Sequence, residues 1–233
     1  MNKELFIKKL KEININLTQE QLSNLETYYN LLIEENKKYN LTSITEKNDV
    51  YLKHFYDSLT ITKIINLNDQ EICDIGTGAG FPGLVLKIVF PNLKLTLVES
   101  NAKKCNFLSI ITNKLNLTNV TIINERAEVY SKNVREKYDI VTSRAVAHLK
   151  HLLEYSVPLV KVKGNYIAMK SNIEKEKENI DIYYKELSIQ EKNKIEFNLP
   201  IENSLRTLVL YEKLSKTNSK YPRKYSDIKK KSL

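Results

Sequence analysis

The 233-residue chain predicts an α/β fold with a mostly parallel sheet, an antiparallel C-terminal hairpin and an N-terminal helical extension. Three observations predict it. The first 65 residues show helical periodicity and contain neither glycine nor proline. Short apolar runs then alternate with helical patterns, as βαβ units do. Four of the five glycines crowd into eight residues where the first apolar run meets the helix after it.

In the helical region Leu22, Leu25, Tyr28, Tyr29, Leu32 and Ile33 recur at helical spacing. Thr18 with Gln21 three residues on forms a capping-box pattern. A second helical stretch is expected over 47–65. Expected strands are Glu71–Ile75, Lys94–Glu99, Val120–Asn124, Asp139–Ser143 and Asn165–Met169, with helices starting near Phe81, Asn101, Arg126 and His148. The late runs Ser188–Phe197 and Leu205–Tyr211 suit a terminal antiparallel pair. The expected division is a helical extension over 1–66, a main domain over 67–215 and a basic tail over 216–233.

Composition narrows the class. With 42% hydrophobic and 28% charged residues, the chain reads as a soluble globular protein. No stretch approaches about 18 apolar residues, so no membrane partner is expected. Met1–Phe6 lacks a signal-peptide core, and two cysteines cannot build a disulfide framework, so a cytoplasmic location is expected. The net charge is +9, and residues 216–233 hold seven basic side chains against Asp227. Such a tail suits nucleic-acid phosphates, although a solvated terminus has the same composition.

The glycine cluster runs Asp74-Ile75-Gly76-Thr77-Gly78-Ala79-Gly80-Phe81-Pro82-Gly83. Between a strand and a helix it marks a Rossmann-like ligand turn. Gly78-x-Gly80-x-x-Gly83 satisfies the dinucleotide fingerprint, so the glycines alone do not separate a nicotinamide cofactor from S-adenosylmethionine. Asp74 tilts the choice. A carboxylate there would repel a pyrophosphate on the helix N-terminus, whereas S-adenosylmethionine carries an ammonium and a sulfonium. A turn-capping role for Asp74 is the competing reading. Glu99, ending the next strand, suits a ribose diol. After the third strand, Ala127 suits an adenine ring and Glu128 its amino group, with a plain loop as the competing reading.

The fourth strand ends Thr142-Ser143-Arg144-Ala145 and borders the transferred methyl in such a fold. The Asn/Asp-Pro-Pro-aromatic run of exocyclic-amine methyltransferases is absent. Cys73 lies inside a strand and Cys105 on a helix, which argues against a cysteine nucleophile. An acceptor that is nucleophilic without deprotonation remains, and ring N7 of guanine is one. Positioning then suffices without a strong base. Arg144 suits contact with guanine O6 or a phosphate, with a structural ion pair as the alternative.

The chain closely resembles the RsmG (GidB) methyltransferases, which methylate N7 of a guanine in bacterial small-subunit ribosomal RNA. The resemblance runs through Lys38-Tyr39-Asn40-Leu41-Thr42, His54-Phe55-Tyr56-Asp57-Ser58-Leu59, the glycine loop, Val98-Glu99-Ser100 and Arg126-Ala127-Glu128. It continues in Thr142-Ser143-Arg144-Ala145-Val146-Ala147, Met169-Lys170 and Tyr221-Pro222-Arg223-Lys224. It implies a class I S-adenosylmethionine-dependent methyltransferase sheet and 16S ribosomal RNA or the small subunit as substrate. Gly76, Phe81, Ala127, Glu128 and Arg144 are implied to contact the cofactor, with Asp74, Gly78 and Glu99 as neighbours. Arg144, Lys170 and His54 are the candidates for positioning the acceptor, and no catalytic residue is assigned beyond them.

Two positions depart from the family. Lys163-Gly164 stands where it usually has Gly-Gly, with a slightly altered turn expected. Ser171 follows Lys170 where a glycine is common. His54 also reads as a structural residue of an amphipathic helix. His148 and His151 lack partners at metal-ligand spacing, so no metal is expected. Tyr28, Tyr29, Tyr39 and Tyr51 suit core packing better than base stacking. A monomer is expected.

Overall fold

A computed structural model describes residues 1–144, 147–230 and 233. Helices α1 (Lys3–Lys11) and α2 (Gln19–Tyr39) open the chain. The capping box forms: the Thr18 hydroxyl accepts from the Gln21 amide at 3.2 Å, and the Gln21 side chain accepts from the Thr18 amide at 2.9 Å. Asn40 ends α2 in the left-handed region at φ 49°, which Asn tolerates better than most residues.

The stretch 47–65 is helical but not one regular α-helix. α3 (Lys47–Asp49) runs into a π-helical segment, Val50–Tyr56, then α4 (Asp57–Leu59) and a 3-10 turn, Thr60–Lys63. Hydroxyls explain part of this irregularity. Ser58, Thr60 and Thr62 each donate to a carbonyl three or four residues earlier, at 2.5, 2.6 and 2.9 Å, in competition with the regular ladder.

The sheet follows: β1 (Glu71–Ile75), β2 (Lys94–Glu99), β3 (Val120–Asn124), β4 (Tyr138–Arg144), β5 (Val160–Lys170), β6 (Ile189–Asn198) and β7 (Leu205–Lys213). Helices α5 (Gly83–Val89), α6 (Ala102–Lys114), α7 (Ala127–Asn133) and α8 (Leu149–Ser156) alternate with the first five strands. α9 (Asp181–Leu187) precedes β6, and α10 (Tyr225–Lys230) lies near the C-terminus. Strand order is β3-β2-β1-β4-β5-β7-β6; the first five are parallel, and β7 runs antiparallel to both neighbours. The chain winds outward from β1 in one direction and resumes at β4 in the other. The switch point therefore lies at the carboxyl ends of β1 and β4, where open α/β sheets bind ligands.

Two apolar cores cover the two faces. In one, Phe6, Leu25, Tyr28 and Phe55 of the helical region pack with Leu84, Leu97 and Phe107 of the sheet layer. Residues 1–66 are therefore continuous with the main core rather than a separate body. Tyr28 and Tyr51 are buried there, as core packing requires. The second core joins Cys73, Tyr138, Leu152, Tyr166 and Tyr183 to Tyr221 and Ile228 of the C-terminal segment.

That segment departs from a solvated basic tail. Arg223 donates through its amide, Nε and Nη2 to the Glu154 carboxylate at 2.9, 2.7 and 2.7 Å, and Glu154 is fully buried. A buried carboxylate requires such a partner. Arg135 donates to the carbonyls of Thr217 and Tyr221 at 2.7 Å each. Lys163 also sits differently from expectation: it occupies the left-handed region at φ 67°, beside an irregular register between β4 and β5. A glycine has no Cβ penalty in that conformation, so the substituted position carries local strain rather than only a shifted turn.

Candidate active site

The glycine loop is built around Asp74, at the end of β1. Its Oδ2 accepts from the Thr77 hydroxyl at 2.6 Å and the Gly83 amide at 2.8 Å, closing the loop onto the start of α5. A Cβ on Gly83 would lie 2.9 Å from that same oxygen and 2.5 Å from Leu97 Cδ2, so only glycine lets the helix approach the strands here. Gly76 and Gly78 adopt positive φ, 65° and 62°. Burial raises the Asp74 pKa to about 6, against the lowering effects of Thr77 and Gly83. Its Oδ1 has no hydrogen-bond partner among the described residues.

A cavity of about 420 Å³ opens over this turn. Gly76, Gly78, Glu99, Ala127, Glu128 and Arg144 line it, six of the eight residues expected at a cofactor site. Glu99 accepts from the Gly78 amide at 3.0 Å and the Asn101 amide at 2.8 Å, which leaves lone pairs on both oxygens for a diol. Arg126 Nε donates to Glu128 Oε1. Backbone at one end, a carboxylate midway and a second carboxylate beyond it fit a nucleoside with a cationic amino-acid arm.

Asp74 and Phe81 do not line this cavity. Asp74 is buried beneath the loop, its Oδ2 held by Thr77 and Gly83 and its Oδ1 without a partner among the described residues. Phe81 is turned into the N-terminal layer. Its ring stacks on His54 at 4.3 Å and on Tyr28 at 5.4 Å, and the Arg144 guanidinium lies 5.3 Å from its centroid. Phe81, the expected contact, and Asp74, the expected neighbour, both lie behind the residues that line the cavity.

A second cavity of about 300 Å³ lies beside the first. The three expected acceptor-side residues, Arg144, Lys170 and His54, line it with Ile44, Lys53, Asp57, Met169, Ser171, Arg206 and Leu208. Arg144 belongs to both cavities. Its Nη1 donates to the Lys53 carbonyl at 2.9 Å and contacts Asp57 Oδ2 at 3.4 Å; its Nη2 lies 3.1 Å from His54 Nδ1. Arginine only donates, so Nδ1 is the acceptor and His54 carries its proton on Nε2, facing the Thr42 hydroxyl at 3.0 Å. Burial, reinforced by the Arg144 charge, lowers the His54 pKa to about 3, so the ring is neutral at pH 7.

Asp57 is bridged on its other oxygen by Arg206 Nε at 3.0 Å. Burial raises its pKa while Arg144 and Arg206 oppose the rise. Lys170 donates to both Glu176 oxygens, at 3.0 and 2.7 Å, and to the Ala147 carbonyl at 2.5 Å. The titratable groups lining this cavity on the acceptor side are thus paired or neutral. Among the described residues it is a shaped, pre-bonded chamber without a free strong base.

Sequence reasoning missed Lys104, His151, Tyr155 and Tyr225 in the first cavity and Lys53 and Arg206 in the second. Asp57 lay within a quoted motif but was given no role. Arg206 and Tyr225 carried no local signal, because each reaches the site through a distant strand or helix. Ala145 and Val146 of the quoted Arg144 motif lie outside the described residues. No helix among the described residues is long and apolar enough to cross a membrane.

Comparison with known proteins agrees with this geometry. A family model described as GidB, rRNA small subunit methyltransferase G, matches residues 21–205. A ribosomal RNA small subunit methyltransferase G from Mycoplasma capricolum is 49% identical over 225 residues, covering 94% of each chain. One from Bacillus cereus is 48% identical, covering 96% of this chain and 95% of its own. Among solved structures, M. jannaschii TYW2 in complex with AdoMet superposes with a TM-score of 0.57 at 14% identity, covering 74% of this chain and 80% of its own, a likeness of fold. The chain belongs to the GidB family of small-subunit ribosomal RNA methyltransferases.

Proposed function

We propose that this chain transfers a methyl group from S-adenosylmethionine to N7 of one guanine in 16S ribosomal RNA. The observation that carries the proposal is the pair of cavities meeting at Arg144, one at the strand ends and one against the N-terminal layer. Gly76, Gly78, Glu99, Ala127, Glu128 and Arg144 bind the cofactor, which supplies the electrophilic methyl. Glu99 takes the ribose hydroxyls, and Glu128 with Ala127 takes the adenine. Asp74 and Phe81 serve the same site indirectly, by holding the loop and backing Arg144.

The guanine enters the second cavity. Its N7 lone pair lies in the ring plane and no proton leaves on attack, so a chamber without a free base suffices. Arg144, His54 and Lys170 position the base rather than exchange its protons. A-form RNA hides N7 in a deep, narrow groove, so the target is unpaired or displaced from its stack. A basic cleft near the C-terminus, lined by Lys132, Arg135, Lys220, Arg223 and Lys224, suits phosphates of the same RNA. Action on ribosomal RNA by a monomer in the cytoplasm completes the reading.

The test is transfer of labelled methyl to purified small subunits, followed by borohydride reduction and aniline cleavage of the RNA. That chemistry cuts at 7-methylguanine. A single new cut in 16S RNA is expected; labelling without one would sink the N7 assignment, and no labelling despite cofactor binding would sink the RNA reading.

A further inference from the structure

Among the described residues, Tyr225 is the only one lining the proposed cofactor cavity that comes from beyond Tyr155 in the chain. It opens α10, within the segment that composition alone marks as a basic tail. Its ring is held in place. The Arg126 guanidinium stacks 4.1 Å from the ring centroid while Arg126 bonds Glu128, and the Lys229 ammonium lies 5.2 Å away. Such cation–π contacts fix the plane of an aromatic ring. Glu128, Arg126 and Tyr225 thus form one chain of contacts in the lining of the cavity.

The segment carrying Tyr225 is strapped down on both sides. Before it, Arg223 grips the buried Glu154, and the Tyr221 hydroxyl donates to Glu186 at 2.8 Å. After it, Ile228 is buried in the core. Glu154 is on α8, the helix that also supplies His151 and Tyr155 to the cavity.

We propose that Tyr225 is a cofactor-binding residue, walling the adenosine end of the cavity, and that the segment over 217–230 is the strap that holds it there. The proposal rests on the reading of this cavity as the S-adenosylmethionine site. A half-buried aromatic face at the adenine end supplies contact area and stacking to a purine, and such stacking is sequence-tolerant chemistry that every base can use. The strap also carries Lys220, Arg223 and Lys224 of the basic cleft, so the same segment borders both the cofactor and the charged surface beside it.

Calorimetric titration of the full chain with S-adenosylhomocysteine and with 5′-methylthioadenosine, which lacks the amino-acid arm, tests the proposal. Tyr225→Ala is expected to weaken both ligands by about tenfold, the loss of one aromatic–base contact. Tyr225→Phe keeps the ring and is expected to bind as the parent does. Tyr225→Leu keeps apolar bulk without the π-face and carries the test if the alanine variant is poorly folded. The melting temperature without ligand separates a binding loss from unfolding. Unchanged affinity in the alanine and leucine variants overturns the proposal and leaves the cofactor reading intact. A loss confined to S-adenosylhomocysteine also overturns it, because the ring would then serve the amino-acid end. A parent chain that binds neither ligand overturns the cofactor reading, and the proposal falls with it.

Discussion

The two cavities that meet at Arg144 are made in different ways. The cavity proposed for the cofactor rests largely on backbone: positive-φ glycines and loop amides, with Glu99 at the end of β2. The cavity proposed for the acceptor rests on side chains from five separate stretches, around Ile44, His54, Arg144, Lys170 and Arg206. A backbone site is local, so a short sequence can specify it. A side-chain site exists only once the N-terminal layer has docked on the sheet. Substitutions at the first should act on cofactor affinity, and at the second on transfer.

Arg144 is where the division is hardest to keep, and its loss should be largest. Arg144→Ala removes the partner of Asp57 and of His54 Nδ1 and leaves the carboxylate without one of its two arginines. Asp57 keeps Arg206, so weakening this buried pairing costs about 2 kcal/mol, while a displaced acceptor reduces transfer by about 100-fold or more. Denaturant melts and single-turnover transfer would measure these. Arg144→Lys should recover part of the stability and little of the activity, because an ammonium cannot bridge Lys53, Asp57 and His54 with a planar fork. Full activity in the lysine variant would break the claim that the shared wall positions the base.

Gly83→Ala comes next. The new Cβ meets Asp74 Oδ2 and Leu97 Cδ2 closer than carbon atoms tolerate. A destabilisation of about 2 kcal/mol is expected, with weaker cofactor binding as the loop opens. Titration with S-adenosylhomocysteine checks it. Intact cofactor affinity combined with lost transfer would erase the distinction between the two cavities.

The third test uses pH. The pKa of His54 is about 3 in the folded chain, below its ordinary 6.5. Between those values the unfolded chain binds more protons, so stability is lost as pH falls from about 6.5 toward 3. Asp74, raised to about 6 from 3.8, acts in the opposite direction, weakening the fold as pH rises through that window. His54→Gln should remove the first contribution and flatten the acid side of the stability–pH curve, by up to about 1.4 kcal/mol per pH unit. An unaltered acid limb would mean that His54 titrates freely and does not accept from Arg144.

The smallest effect should be a gain. Lys163 sits at φ 67°, where a side chain is strained. Lys163→Gly should stabilise the fold by about 0.5–1 kcal/mol without touching either cavity. Unchanged transfer with a raised melting temperature would confirm that the β5 irregularity is separate from the site.

Much of this was readable in the amino-acid order. Strand positions, the parallel order inferred from alternation and the C-terminal hairpin match because each reflects local periodicity over five to ten residues. The capping box at Thr18 and the ligand turn at Gly76–Gly83 were readable for the same reason. The π-helical run through His54 was not, since its Ser58 back-bond and its contacts with Phe81 and Arg144 form only in the folded chain. Asp74 was half-read: its carboxylate was placed at the correct turn, but its direction, inward to Gly83 rather than outward to the cavity, is a packing outcome.

Local order was enough for the glycine turn, for Glu99 at the end of β2 and Glu128 in the first turn of α7, and for the absence of amine-methylation and cysteine-nucleophile patterns. Those features lie within single elements, where backbone geometry follows from neighbouring residues. Only the folded chain shows that Arg144 lines two cavities, that Asp57 sits between Arg144 and Arg206, and that Arg223 of the basic segment is held by Glu154. Each of these brings together residues about 70 to 150 positions apart. Contacts at that separation depend on how buried charges and apolar faces are satisfied together across the whole fold.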